Sequence, residues 1–187
     1  MARVKKASYN QAIEHNLEVW SPEVGTRFES LARGAAREFD QHTKSKIVVD
    51  LGCGDGAAIS EFVKLGYTVT GVDINAKKLR HVNDATLIYL DYLTYLKAQS
   101  ANTVHNIFMH HALEHTPRYK DVLKEISRVL MPRGICLVVV PALDKPHSVH
   151  YVAFENPKEI LPLNLRPIIN EQRERETHEY WCIATKA

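Results

Sequence analysis

The sequence has little of several things that mark specialised proteins. Its 187 residues include only three cysteines. No two of these cysteines form a Cys-x-x-Cys pair, and the longest apolar run, residues 135–143, is far too short to span a bilayer. Lys and Arg number 24 against 22 Asp and Glu, so the charge gives no strong signal for nucleic acid. No apolar leader follows Met1. We therefore expect reduced thiols, a cytoplasmic protein, and neither a membrane nor a nucleic-acid partner.

What is present is ordinary globular composition, with 45% hydrophobic and 25% charged residues, which suits one domain. The first seven residues are basic, and we expect them to be frayed. Ser21-Pro22-Glu23 predicts a helix start, because a hydroxyl cap is followed by proline and an acid. Apolar residues then recur at helical spacing as far as Phe39.

From Lys46 onward, strand and helix patterns alternate. Five apolar strands are predicted, each followed by a helix or turn: Ile47–Leu51, Thr68–Val72, Thr86–Leu90, Val104–Met109 and Ile135–Val140. This alternation predicts an α/β fold with a parallel sheet covered on both faces. Asn156 is predicted to begin a further helix. The last two strands, Ile168–Gln172 and Tyr180–Thr185, have no helix between them, so we expect an antiparallel ladder at the sheet edge.

Three alternating glycines, Gly52, Gly54 and Gly56, follow the first of these strands and precede a helix. Glycine lets the backbone approach a ligand closely, and a helix N-terminus favours an anionic group. Such a loop alone leaves open whether the ligand is a dinucleotide or another nucleotide-like molecule.

Acidic residues stand at the ends of the next two predicted strands. Asp73 is placed to accept hydrogen bonds from both hydroxyls of a ribose. Asp91 can accept from the exocyclic amine of adenine, while Tyr92 offers a backbone N–H and a ring face. Each acid alone could be a strand end or a helix cap, but three consecutive strand ends with suitable groups favour a nucleoside-containing ligand.

With these motifs in order, the sequence resembles the class I S-adenosylmethionine-dependent methyltransferases, especially the branch of small-molecule and quinone-biosynthesis enzymes. The matching segments are Val49–Gly56, Gly71–Asp73, Asp91, Leu113–His115 and Glu125–Gly134. The resemblance implies a Rossmann-like, doubly wound, seven-stranded sheet, mostly parallel, with an antiparallel strand at the C-terminal edge. It also implies S-adenosylmethionine as cofactor and S-adenosylhomocysteine as product.

The resemblance also assigns residues to parts of the cofactor. It implies Asp50 near the methionine amino group, with Gly52 and Gly54 along the methionine moiety. It further implies Asp73 on the ribose, Ile74 against the adenine, Asp91 on the adenine amine and His110 close to the cofactor. Cys53 and Tyr92 complete the set of residues that we expect to bind the cofactor. We expect one domain over 1–187, with an N-terminal helical cap (1–43), a cofactor-binding core (44–141) and a substrate-side segment with edge strands (142–187).

Two departures from the family pattern are visible. Pro132-Arg133-Gly134 replaces the usual Pro-Gly-Gly, which changes a turn. Residues 109–112, Met-His-His-Ala, stand where enzymes that methylate DNA amines or glutamine carry Asn-Pro-Pro-Tyr. The second departure disfavours a base amine or an amide as acceptor.

Histidines crowd the loops after the fourth and fifth core strands. His115, His147 and His150 are candidate catalytic bases, with His115 favoured over His150, since imidazole takes up a proton near neutral pH. His111, Glu114 and His115 also have the spacing to share one helical face and hold a divalent metal, with His150 as a fourth ligand. Purely structural roles are the third possibility. We assign no metal.

The sequence thus predicts a methyltransferase that acts on a small molecule at oxygen. The acceptor would be partly apolar, because Tyr9, Trp20, Tyr151 and Phe154 lie outside the core, although packing is the favoured explanation for each of them taken singly. Two alternatives stay open. One is a catalytically silent S-adenosylmethionine-binding module, and the other is a methyltransferase for RNA or protein.

Overall fold

A computed structural model describes residues 1–19, 25–75, 84–143, 146, 150–174 and 178–187. Its helices are α1 Tyr9–Val19, α2 Gly25–Asp40, α3 Ala57–Lys64, α4 Tyr92–Ala98 and α5 Tyr119–Val129. Its strands are β1 Arg3–Val4, β2 Ile47–Leu51, β3 Thr68–Asp73, β4 Ala85–Tyr89, β5 Val104–His110, β6 Leu130–Pro141, β7 Val152–Ala153, β8 Arg166–Glu174 and β9 His178–Thr185. Leu113–His115 and Pro157–Ile160 form short 3₁₀ turns.

Seven strands form the main sheet, in the order β4-β3-β2-β5-β6-β9-β8. The strands from β4 to β6 pair in parallel, while β9 runs antiparallel to both β6 and β8. The predicted α/β class, the seven strands and the reversed strand near the C-terminal edge are therefore confirmed. The carboxyl ends of β2, β3 and β5 lie side by side, because parallel neighbours all point the same way. We call this side of the sheet the carboxyl edge.

Apolar side chains cover both faces of the sheet, as continuous apolar strands predict. Along β6, Leu137 and Val139 enter one hydrophobic cluster, while the alternate residues Val138 and Val140 enter the other. Helices α2 and α3 cover the first face, where Phe39 and Phe62 meet edge to face at 5.7 Å. Helices α4 and α5 cover the second face.

Several predictions about local structure need correction or fall outside the described residues. The sequence patterns did not single out helix α1 or strand β1. The helix predicted from Asn156 is only a 3₁₀ turn, because Pro162 follows two residues after its end and prevents continuation. The helix start at residues 21–23 lies outside the described residues. Arg133 adopts a φ of +64°, in the left-handed region that favours glycine.

The N-terminal residues are ordered rather than frayed. Arg3 and Val4 pair antiparallel with Ala153 and Val152, and the Lys5 amide donates to the Tyr151 carbonyl at 2.8 Å. This two-stranded ladder fastens the start of the chain to the segment after β6. None of the helices in the described ranges combines the length and the apolar character needed to cross a membrane.

Gly71 in β3 offers a test of how tightly the glycine loop packs on the sheet. A Cβ there would lie 2.4 Å from Ile59 Cδ1 and 3.0 Å from Cys53 Sγ. Gly71→Ala should therefore lower the free energy of unfolding by about 1–3 kcal/mol, as overpacking does. Gly34 in α2 is the matched control, because a Cβ added there would meet nothing within 4 Å. Gly34→Ala should stabilise by about 0.5–1 kcal/mol. Urea unfolding of both variants checks this, and an unimpaired Gly71→Ala would contradict it.

Candidate active site

The glycine loop is held against the neighbouring strand by its own backbone. The amides of Gly52 and Cys53 donate to the Val72 carbonyl at 2.8 and 3.2 Å. Gly52 has a φ of +75°, and a Cβ on it would lie 2.5 Å from the Cβ of Ala112. Any other residue at this position would be strained and would clash, so glycine is required here for close approach as well as for conformation.

The Asp73 carboxylate at the end of β3 is fixed by two backbone amides. Gly54 N–H donates to its Oδ2 at 2.9 Å, and Asn75 N–H donates to its Oδ1 at 2.8 Å. Each oxygen retains a further lone pair, so the carboxylate can still accept hydrogen bonds from a diol. Space for a Cβ on Gly54 is open, with no atom within 4 Å. The loop and the acid therefore leave room for a ribose-bearing ligand.

Asp50, in β2, is a buried acid that lacks a full set of partners. Its side chain is 2% exposed, and its Oδ2 has no hydrogen-bond partner among the described residues. Burial, followed by the nearby Asp73 and Asp55, raises the pKa of Asp50 to about 8. A cationic group beside this carboxyl would restore its charged form. The site therefore fits the ammonium group that the family resemblance places there.

The polar side chains on the adenine side of the predicted site already have hydrogen-bond partners within the protein. Asp91 Oδ2 accepts the Thr94 amide at 2.7 Å, so Asp91 caps α4. The Tyr92 hydroxyl donates to the Ala112 carbonyl at 3.1 Å. Tyr9 of α1 lies near this acid, and burial, followed by the Asp91 carboxylate, raises the pKa of Tyr9. Ile74 follows β3 and is half-buried, while the buried Cys53 thiol packs toward Gly71.

Two stacked histidines lie at the carboxyl end of β5, one as its last residue and the other directly after it. The His110 and His111 rings lie 4.4 Å apart with an interplanar angle of 8°. His110 is buried, and burial, followed by the neighbouring His111, holds its pKa well below the usual range. The His111 ring contacts a carboxylate from the far strand β9, with 2.8 Å between His111 Nε2 and Glu179 Oε1. The second Glu179 oxygen accepts the Trp181 indole N–H, also at 2.8 Å.

A second group forms on the 3₁₀ turn beyond. Glu114 is fully buried, and within the described parts of the chain neither of its carboxylate oxygens has a hydrogen-bond partner. Burial raises the pKa of Glu114 to about 7. His115 Nε2 lies 3.8 Å from Glu114 Oε1, and the His115 and His150 rings meet edge to face at 4.9 Å. The Tyr151 amide donates to the Glu114 carbonyl at 2.8 Å, which ties this turn to the segment that carries His150.

The structure corrects the spacing argument for a metal. His111, Glu114 and His115 do not share one helical face, because His111 has a φ of +50° and its ring contacts Glu179. Glu114, His115 and His150 instead have donor atoms within 4.8 Å of one another, so these three could hold an ion. Sequence reasoning missed Glu179, since nothing in the pattern of β9 shows that an acid there faces a loop 68 residues earlier.

Two of the aromatic residues predicted outside the core behave as packing residues. Tyr151 and Phe154 are buried, and Phe154 meets Tyr119 edge to face at 5.3 Å. Trp20 and His147 lie outside the described residues.

Comparisons with known proteins agree with this geometry. A family profile described as a methyltransferase domain matches residues 24–183. The ubiquinone biosynthesis O-methyltransferase of Albidiferax ferrireducens is 29% identical over 141 residues, which are 71% of this chain and 52% of the relative. The Vibrio parahaemolyticus protein of the same name is 30% identical over 96 residues, covering 48% and 41% of the two chains. The chain thus spans about half the length of the relatives it matches.

Among solved structures, 1,6-didemethyltoxoflavin-N1-methyltransferase of Burkholderia thailandensis, with bound 1,6-didemethyltoxoflavin and S-adenosylhomocysteine, is similar with a TM-score of 0.77. It is 20% identical, and the match covers 99% of this chain and 93% of that one. A SAM-dependent methyltransferase from Archaeoglobus fulgidus has a TM-score of 0.69 at 17% identity, covering 96% and 100%. At these identities the likeness shows the fold.

The raised pKa of Asp50 predicts a dependence of stability on pH. Between about pH 4, where an unfolded aspartate titrates, and about pH 8 the folded state holds a proton on Asp50 that the unfolded state releases. Its contribution to stability is therefore present at low pH and is lost as the pH rises through that window. The Asp50→Asn side chain stays neutral at every pH. At pH 8 without ligand, the free energy of unfolding of this variant should therefore exceed that of the wild type by about 1 kcal/mol or more.

Urea unfolding at pH 5 and pH 8 measures this difference, with Asp121→Asn on the surface as the control. The same Asp50→Asn variant should bind S-adenosylhomocysteine more weakly in calorimetry, because the ammonium group loses its carboxylate. A variant whose stability declines with pH as steeply as that of the wild type would show that Asp50 is not the titrating group.

Proposed function

This chain belongs to the family of methyltransferase domains, and from that premise we propose that it moves a methyl group from S-adenosylmethionine to an oxygen of a small-molecule acceptor by in-line displacement. The observation that carries the proposal is the buried, incompletely paired Asp50 beside a glycine loop whose amide holds Asp73. The O-methyltransferase relatives support oxygen as the atom that is methylated.

The residues that would hold the cofactor lie on one continuous strip of the carboxyl edge. Asp50 would accept from the ammonium group, Asp73 from the ribose hydroxyls and Asp91 from the adenine amine, while Gly52 and Gly54 allow the backbone to come close. When bound, the cofactor supplies a methyl group on a sulfonium, which is already an activated leaving group. The protein then contributes mainly orientation, and orientation alone supplies several kcal/mol through effective molarity.

A hydroxyl acceptor must lose its proton, and we propose His115 as the base with His150 beside it. Both rings lie on the carboxyl edge, in contact with each other, and His115 Nε2 is 3.8 Å from the buried Glu114. In its ionised form, Glu114 at that distance would stabilise the imidazolium that forms when the ring takes a proton.

Methyl transfer can be tested with labelled S-adenosylmethionine and a small panel of probes. Catechol represents hydroxyl acceptors, imidazole represents ring nitrogens, and total RNA and a protein extract represent macromolecules. We expect label on catechol-type compounds from the wild type and about tenfold or more weaker cofactor affinity in Asp73→Ala, which loses charge-assisted hydrogen bonds. Label only on RNA or protein would contradict the small-molecule proposal. Binding of S-adenosylhomocysteine without any labelled product would favour the silent module.

His115→Ala should lower turnover by roughly 10²–10⁴-fold, the range of general-base catalysis, and leave the affinity for S-adenosylhomocysteine nearly unchanged. His178→Ala, which removes an exposed histidine of β9, is the matched control and should keep full turnover.

Dialysis against a chelator distinguishes catalysis by a histidine base from catalysis by a bound metal. If the chelator abolishes activity and a divalent ion restores it, the metal at Glu114, His115 and His150 replaces the base. Full turnover of His115→Ala without a metal requirement would leave proximity as the whole mechanism.

A further inference from the structure

Glu179 is a buried carboxylate that the cofactor and acceptor assignments do not use. It is completely buried in β9, yet both of its oxygens are engaged, one 2.8 Å from His111 Nε2 and the other accepting the Trp181 N–H at 2.8 Å. When Glu179 is ionised it can only accept, so the first contact then places a proton on His111 Nε2. A hydrogen bond to a charged acceptor is among the stronger ones in proteins. In either protonation state the contact fixes the direction of the His111 ring.

Glu179 is also held through its hydrogen-bond partner Trp181, against which β8 packs. The Arg173 guanidinium of β8 lies 4.3 Å from the Trp181 ring centre, and Arg173 reaches Glu38 of α2 at 2.7 Å. In addition, β9 is hydrogen-bonded to a strand on each side. A side chain anchored in this way acts as a fixed point against which a loop can be oriented.

His111 is the point at which the chain leaves β5 and turns toward the proposed base. Its φ of +50° is in the left-handed region, which is unfavourable for a residue other than glycine. Residues in such conformations persist only where their surroundings hold them. Here the His111 amide donates to the Val139 carbonyl at 2.9 Å, the ring stacks on His110, and Glu179 holds the far end of the ring. The turn that carries Glu114 and His115 begins two residues later.

We propose that Glu179 is a positioning residue for methyl transfer. It holds the His111 ring and thereby the turn between β5 and the 3₁₀ segment, so that His110 faces the cofactor side and His115 the acceptor side in one arrangement. This assignment rests on the proposed function. It adds a contribution from β9 to a site otherwise built from β2 and from the residues that follow the parallel strands β2 to β6.

An ion bound by His110, His111 and Glu179 is the competing explanation, since their donor atoms lie within 4.8 Å of one another. Ring nitrogens bind metals along lone pairs in the plane of the ring. Two rings stacked 4.4 Å apart and nearly parallel direct those lone pairs side by side rather than toward one point. The geometry therefore favours the hydrogen bond, and zinc titration provides the corresponding arm of the test.

The experiment combines four variants with one matched control. Glu179→Gln keeps the shape and removes the charge. His111→Asn tolerates a positive φ but is too short for the contact, while His111→Gln places an amide N–H near the original Nε2. The fourth variant combines Glu179→Gln with His111→Asn. The control Glu174→Gln removes the carboxylate of an exposed pair with His178 on the same hairpin.

For each protein we would measure the rate of catechol methylation, the affinity for S-adenosylhomocysteine by calorimetry, and the NMR chemical shifts of the histidine ring nitrogens. In Glu179→Gln we expect kcat to fall by about tenfold or more, with the KM for catechol and the affinity for S-adenosylhomocysteine within about threefold of wild type. The kcat of His111→Asn should fall by the same factor, and the kcat of the double variant should fall no further than that of the worse single variant. The kcat of His111→Gln should stay within about threefold of the wild-type value. The His111 Nε2 resonance should shift in Glu179→Gln but not in Glu174→Gln.

Full turnover of Glu179→Gln would overturn the assignment, as would effects that multiply in the double variant. Stoichiometric zinc binding that Glu179→Gln abolishes would replace it with a metal site. A wild type that binds S-adenosylhomocysteine but methylates no probe would overturn the proposed function, and the assignment with it. An active wild type with a fully active Glu179→Gln would overturn the assignment alone.

Discussion

The whole site depends on two hydrogen bonds, from the amides of Gly52 and Cys53 to the carbonyl of Val72. They fold the loop after β2 back onto β3 instead of letting it run on into solvent. This brings the Gly54 amide to the Asp73 carboxylate and presses Gly52 against Ala112 of the loop after β5. Three separate strand ends thereby become one surface, on which groups from β2, β3 and β5 face the same volume.

The acids of this surface fall into two kinds, and the difference is one of environment rather than of residue type. Asp73 and Glu179 have a polar contact on each of their carboxylate oxygens. Asp50 and Glu114 are buried with too few donors, so burial raises the pKa of each. Carboxyl groups whose pKa values are driven upward in this way are typical of functional sites, where a ligand or a proton completes the set of partners.

The sequence indicated those features of the molecule that are local. Apolar runs located the core strands because strands buried on both faces need them, and the glycine spacing located the loop because only glycine fits at Gly52. The short strand β1 carries no pattern of its own and forms only because Val152 and Ala153 offer it a partner about 150 residues away. The direction of the His111 ring could not be predicted for the same reason, since a contact with a distant acid, and not the spacing of the histidines, decides it.

The order of the strands also has a consequence for how the chain acquires its shape during synthesis. Strand β9 is inserted between β6 and β8, although it follows both in the chain and leaves the ribosome after them. Until then β6 has one open side, and Glu179 is not yet available to His111, 68 positions earlier. The loops after β2 and β3 can form early, whereas the histidine turn can take its final form only once β9 has emerged. Nascent chains should therefore pass through a stage in which the proposed cofactor-binding part of the site exists and the proposed acceptor part does not.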